Sequence, residues 1–146
     1  MKDEGIWYVD SDTRSIPAIW MRAGTSKGLF LRGEHLPKST QDWEPIILAI
    51  MGSSNGDARQ LDGIGGGTST TSKVAVISRS ERPGIDLDYT FVQVDFARGK
   101  MDLSGNCGNM ASGTGLFALY QNLVNPEHHQ DRVSVAIELE SCQQSS

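Results

Sequence analysis

Two glycine-bracketed segments put a lysine and a cysteine where acid/base chemistry could run. The first is Asp62-Gly63-Ile64-Gly65-Gly66-Gly67-Thr68-Ser69-Thr70-Thr71-Ser72-Lys73, and the second is Ser104-Gly105-Asn106-Cys107-Gly108-Asn109-Met110. Glycine lacks a Cβ, so backbone in such segments can approach a ligand closely. A cysteine just inside a helix start sits in the positive end of the helix field, where thiolate is favoured and unpaired N–H groups attract carboxylates. A lysine opening an apolar strand, as Lys73 does before Val74-Ala75-Val76, can be drawn far enough from water to act as a base toward a carbon acid. Together the segments read as an anion-binding acid/base site. The plainer readings are a solvated strand-start lysine, an inert buried thiol and hydroxyls that only form turns.

A proton on carbon beside a carboxylate is very weakly acidic unless a conjugated double bond and nearby donors spread the developing charge. The amides of Gly65, Gly66, Gly67, Thr68 and Ser69 and those of Gly108, Asn109 and Met110 are candidate donors. Thr25-Ser26-Lys27 repeats the tripeptide Thr71-Ser72-Lys73, with Lys27 either a carboxylate anchor or a surface residue. Neither G-x-x-x-x-G-K-[ST] nor G-x-G-x-x-G occurs, which argues against a nucleotide loop. His35, His128 and His129 lie in loop-like sequence without clustered metal-ligand spacing, so no metal is required.

The 146 residues suffice for one domain with a real core. With 38% apolar and 21% charged residues the chain is globular, and no apolar run spans a bilayer. A net charge of -5 argues against a nucleic-acid partner, while local N–H groups and one lysine still suit a small carboxylate. Met1-Lys2-Asp3-Glu4-Gly5 has no secretory pattern and the two cysteines, Cys107 and Cys142, make no disulfide framework. A reduced cytoplasmic setting is expected.

The elements that must position these residues are short. Ile16 to Met21 and Gly28 to Arg32 read as strands of a hairpin around Ala23-Gly24-Thr25-Ser26-Lys27. Asp42 to Met51 reads as a helix capped by Asp42, with Trp43, Ile46, Ile47, Ile50 and Met51 on one face and a stop at Gly52. Residues 52 to 72 form a loop too long for a mere connector. Lys73 to Ser78, Leu87 to Phe96 and Arg132 to Leu139 alternate as strands. Cys107 to Val124 reads as a helix apolar nearly all round and therefore buried, with Gly113 and Gly115 admitting a close strand. Short antiparallel strands around one central helix satisfy this pattern, and the polar tail from Glu140 is expected to fray.

Three segments carry a resemblance to the PrpF family: Met21-Arg22-Ala23-Gly24-Thr25-Ser26-Lys27-Gly28, Gln60-Leu61-Asp62-Gly63 through Thr71-Ser72-Lys73-Val74-Ala75-Val76, and Gly105-Asn106-Cys107-Gly108-Asn109. That family includes methylaconitate isomerase, methylitaconate Δ-isomerase, oxalomesaconate tautomerase and aconitate Δ-isomerases. The resemblance implies an α+β, diaminopimelate epimerase-like fold: a curled antiparallel sheet around a central helix, two such domains flanking a cleft. It implies that residues 1–146 correspond to the N-terminal domain of a normally two-domain isomerase; the tail 140–146, by its polarity, is expected to be disordered. It implies cofactor-independent allylic proton transfer on an unsaturated di- or tricarboxylate such as aconitate. By position Lys73 is the base and Cys107 the acid or a positioning group. Arg22, Thr25, Ser26, Lys27, Gly65, Gly66, Gly67, Thr68, Ser69, Asn106, Gly108, Asn109 and Met110 then contact substrate. Ala23 stands where the family usually has glycine, which a turn absorbs unless that position needs a positive φ. The site is expected to be completed by a second domain or a homodimer mate. The alternative is a truncated, catalytically silent paralogue that binds a carboxylate or a protein partner.

Overall fold

Near-continuous apolar runs such as Val74-Ala75-Val76-Ile77 build a sheet that is apolar on both faces, and helices cover each. The computed structural model describes residues 7–8, 13–127 and 132–138. A small ribbon pairs β1 (Trp7–Tyr8) with β2 (Arg14–Ser15). The main sheet has six strands: β3 (Ala18–Ala23), β4 (Ser26–Arg32), β5 (Lys73–Arg79), β6 (Leu87–Asp95) and β7 (Lys100–Asp102) in that order, with β8 (Val135–Glu138) also on β6. β7 and β8 bind different stretches of β6, residues 93–95 and 87–90.

The hairpin β3–β4 forms as expected, closed by the two-residue loop Gly24-Thr25. Gly24 has φ +56°, a conformation that glycine adopts without penalty at the first position of such turns. Ala23 has no positive φ and is buried in the core, so its side chain is accommodated. The first strand begins only at Ala18, because Pro17 has no N–H to give the ladder.

Phe30, Ala75, Ile77, Tyr89 and Phe91 point to one face and pack under Met110, Phe117 and Ala118. Leu29, Leu31, Val74, Val76, Val92 and Val94 point to the other and pack under Trp43, Ile47, Leu48 and Met51. Each fully buried large side chain contributes about 1.5–3 kcal/mol. The helix on the second face, α1 (Glu44–Met51), has Pro45 in its first turn and ends at Gly52, φ +80°. Asp42 does not cap it. Residues Thr40–Trp43 form a 3-10 turn that runs straight into the helix, and Leu48, which the expected face omitted, is buried while Ile46 and Ile50 are half-buried.

Three expectations are corrected. The sheet is mixed rather than antiparallel: β4 runs parallel to β5 and β6 parallel to β8. It lies between helices instead of wrapping one. The helix expected over Cys107 to Val124 is two short ones, α2 (Gly108–Ser112) and α3 (Thr114–Tyr120). The break falls at Gly113, where a Cβ would lie 2.7 Å from Phe30 Cζ and 3.1 Å from Ala23 Cβ. Gly115 faces open space. α3 is also not buried all round, since Leu116, Leu119 and Tyr120 are exposed. Past its end Asn122 takes φ +53° and Leu123 N–H returns to the Ala118 carbonyl, a left-handed helix stop. The tail 140–146 and His128-His129 lie outside the described residues, and His35 sits buried in the turn Gly33–His35.

Candidate active site

The first residue of β5 and the residue preceding α2 meet on one face of the sheet. Lys73 Nζ donates to Cys107 Sγ at 3.5 Å, and Ser26 Oγ lies 3.9 Å from the same sulfur. Lys73 reaches this position because Gly28 pairs with it across the parallel ladder. A Cβ on Gly28 would collide with Met110 Cε and lie 2.7 Å from the Lys73 carbonyl. Glycine there lets α2 settle onto the strands beside the lysine. The ammonium also lies 5.2 Å from the Phe91 ring centroid, within cation–π range.

Cys107 is half-buried and held by its backbone. Its N–H is taken by Asn106 Oδ1 at 2.7 Å, and the Tyr89 hydroxyl donates to its carbonyl at 3.5 Å. Burial is the largest single influence on the thiol and pushes it up. The Met110 N–H, the charge of Lys73, the Ser26 hydroxyl and the Lys73 hydrogen bond together outweigh burial and hold it below the ordinary thiol value. The five-residue α2 acts on the thiol through the Met110 N–H. Burial, and secondly the nearby Cys107 charge, push the Tyr89 phenol far up, so it stays a donor.

The remaining expected residues divide. Asn109 Nδ2 donates to Thr25 Oγ1 at 2.8 Å, tying the hairpin tip to α2. Met110 is fully buried, with its N–H committed to the cysteine sulfur. Gly108 is exposed beside them. Arg22 and Lys27 are cross-strand partners and both exposed. They project from the sheet face opposite Lys73 and Cys107, with Lys27 Nζ 5.7 Å from the Trp20 ring. A single step along a strand reverses the side a residue faces, which is why Ser26 meets the cysteine and its neighbour Lys27 does not.

The glycine-rich loop turns inward on a side chain to which the sequence reading gave no role. Gln60, fully buried at φ +54°, accepts from Gly67 N–H at 2.8 Å and Ser72 Oγ at 3.0 Å and donates to Ser53 Oγ at 2.9 Å. A Cβ on Gly65 would overlap the Gln60 amide. Gly65 N–H is spent on the Met51 carbonyl. The hydroxyls of Thr68 and Thr71 bond each other at 2.7 Å, and Ser72 Oγ reaches the Thr68 carbonyl at 2.6 Å. The hydrogen bonds of residues 65–69 run to Gln60, Met51, Gln93 and the hydroxyls of residues 70–72, and none among the described residues joins them directly to Lys73 or Cys107. Gln93, the cross-strand partner of Lys73, fastens the loop by donating to the Ser69 and Ser72 carbonyls at 3.2 and 3.1 Å. Gln60 opens the second family segment, yet nothing in a polar loop says that its side chain turns inward; Tyr89 and Gln93 needed only the strand register to be placed.

A cleft of about 930 Å³ lies elsewhere, between α1 and the outer face of the hairpin, where Ile16, Leu29, Leu31, Ile46, Ile50 and Ile64 line it. It is mainly aliphatic and contains neither Lys73 nor Cys107. Proton transfer needs a paired donor and acceptor at hydrogen-bond distance, and the lysine–cysteine notch supplies that. Among the described residues no helix is long and apolar enough to cross a membrane.

Known proteins match this chain across the same residues. It is 45% identical over 129 residues to (4E)-oxalomesaconate Delta-isomerase of Novosphingobium, covering 88% of this chain and 36% of that protein. It is 44% identical over 125 residues to 3-methylitaconate isomerase of Eubacterium barkeri, covering 86% and 32% respectively. A crystal structure of methylitaconate-delta-isomerase superposes with a TM-score of 0.77 at 43% identity, covering 84% of this chain and 31% of that one. The chain thus spans about a third of the length of the relatives it matches. The profile of the PrpF protein family covers residues 13–140, which contain the hairpin, the glycine loop, Lys73 and Cys107, and on this evidence the chain belongs to the PrpF family.

Proposed function

We propose that this chain forms the Lys73–Cys107 wall of an isomerase that shifts a double bond in a small unsaturated di- or tricarboxylate. The observation that carries the reading is the 3.5 Å contact between an amine and a thiol at the rim of the sheet, in a chain whose named relatives isomerise oxalomesaconate and methylitaconate. A 1,3-shift removes a proton from the carbon beside a carboxylate and returns one at the far end of the allylic system. Lys73 is the base for the first transfer. Cys107 is the acid for the second or holds the substrate against the lysine, and their contact lets one proton be shared between them. Neither step calls for a redox group or a metal. Thr25, Ser26, Asn106, Gly108 and Asn109 border the pair and supply polar contacts to carboxylate oxygens.

In this reading the fold is one half of a diaminopimelate epimerase-like protein, and a second domain or a second copy closes the notch. Closure excludes water and fixes substrate geometry, which accounts for much of the rate in such sites. A reducing cytoplasm keeps Cys107 as the thiol this chemistry needs.

The test is solvent-deuterium incorporation into 3-methylitaconate and trans-aconitate, followed against protein concentration. Exchange rising with the square of concentration supports a site completed by a partner copy. Carboxylate binding without any exchange, at every concentration and also when the remaining domain is supplied, identifies the silent alternative.

A further inference from the structure

We propose that Lys73 and Cys107 have a second, covalent state: a sulfenamide, with Cys107 Sγ bonded to Lys73 Nζ, formed when hydrogen peroxide oxidises the thiol. The amine is already the sulfur's neighbour at 3.5 Å. Both atoms are held by backbone that is fixed elsewhere, Lys73 by the β4–β5 ladder and Cys107 by Asn106 and Tyr89. Cys107 is half-buried, open to a molecule as small as peroxide. Among the described residues it is the one free cysteine, and the nucleophile those residues hold against its sulfur is the lysine. Sulfenic acids condense with nitrogen nucleophiles when one is held against them.

In the first step the Cys107 thiolate attacks one peroxide oxygen. The O–O bond breaks, hydroxide leaves, and sulfur is oxidised by two electrons to the sulfenic acid as the peroxide is reduced. In the second, the Lys73 amine attacks sulfur, the S–O bond breaks, and the departing hydroxide takes a proton from nitrogen to leave as water. The sum is thiol plus amine plus peroxide giving sulfenamide plus two waters, with one more proton released to solvent if the lysine begins as ammonium. Ser26 Oγ, 3.9 Å from the sulfur, is placed to hydrogen-bond the departing oxygen. A small thiol reverses the bridge: it attacks sulfur, frees the amine and leaves a mixed disulfide, which a second thiol resolves. The bridge also keeps the sulfur from irreversible sulfinic acid.

That the bridge silences proton transfer rests on the proposed function; that it forms does not. The experiment treats the full chain and its Cys142→Ser variant with limiting hydrogen peroxide, then reads intact mass and digested peptides before and after dithiothreitol. The expected product joins the peptides bearing Lys73 and Cys107, is lighter by two hydrogens than their sum, persists in Cys142→Ser and is lost with thiol. Lys73→Arg and Lys73→Ala should instead accumulate sulfenic acid that dimedone traps, followed by sulfinic acid. A Cys107–Cys142 disulfide, a cross-link that carries an added oxygen, or equal dimedone trapping with and without Lys73 overturns the proposal. If the bridge forms in Cys142→Ser but deuterium exchange is unchanged, the bridge stands and the assignment of Lys73 and Cys107 to catalysis fails.

Discussion

The tripeptide Thr-Ser-Lys occurs twice, at 25–27 and 71–73, and the two copies do opposite things on neighbouring parallel strands. Gly28 pairs with Lys73, so the copies are out of step by one residue. In the first, Ser26 faces Cys107 and Lys27 lies on the far face over Trp20. In the second, Lys73 faces Cys107 and Ser72 turns into the protein to bind Gln60. One composition yields one serine and one lysine at the same sulfur, each from a different copy. The function of a residue here follows from strand parity, not from the company it keeps in sequence.

The sharpest way to break that contrast is to remove each lysine. Lys73→Ala should lower deuterium exchange into a methylitaconate or aconitate substrate by about 10²–10⁴-fold, the range expected for a positioned acid/base group; a loss no greater than that of Lys27→Ala would erase the distinction between the copies.

Next in size are changes to what holds the copies apart. Gln60→Ala leaves Ser53, Ser72 and Gly67 N–H without their partner and should cost about 1–3 kcal/mol in urea unfolding. Gly28→Ala drives a methyl into Met110 and should cost a similar ~1–3 kcal/mol. Gly115→Ala, facing open space within α3, should stabilise by about 0.5–1 kcal/mol. Equal effects at 28 and 115 would remove the close helix–strand approach from the account.

The thiol offers a finer measurement. Its lowered pKa means that iodoacetamide should alkylate Cys107 with a pH midpoint below the ordinary value of 9.0, and Ser26→Ala should move that midpoint upward. The linked stability has a definite sign. It is fully present above the unfolded thiol's value and is lost as pH falls through the lowered folded one. A midpoint unmoved by Ser26→Ala would take the first copy out of the site. The smallest effect belongs to Lys27→Ala, which should change exchange by no more than about twofold, as the ~0.5 kcal/mol of an exposed charge allows.

Much of this arrangement was legible in the residues. Gly24 marked the hairpin turn and Gly52 the helix stop; Val/Ile alternation marked β5 and β6; the family segments brought Lys73 and Cys107 into one reading. Other parts were not legible, for physical reasons. Parallel pairing of β4 with β5 joins strands separated by residues 33–72, α1 among them, and neither strand carries a mark of its partner's direction. β7 is only Lys-Met-Asp and has no alternation to see. Gly113 and Gly115 look alike in sequence, and only the ring of Phe30 distinguishes them. Lys27 read equally as carboxylate anchor or surface residue, and Arg22 entered only with its family segment; neither residue type says which side of a sheet it takes. The inward-turned glycine loop shows that glycine can make room for a protein's own glutamine as readily as for a ligand.

The parallel ladder has a consequence for how the chain acquires its site. The hairpin β3–β4 needs only neighbours and can zip from its own turn, whereas β4 cannot meet β5 until the whole of residues 33–72 has been closed off as a loop. Loop-closure entropy makes such distant pairing slow relative to local structure. Lys73, Ser26 and Cys107 therefore become neighbours late in folding, and a stopped-flow record of a chain that keeps Trp20 as its single tryptophan should show fluorescence from that hairpin residue recovering before protection of Cys107 from alkylation.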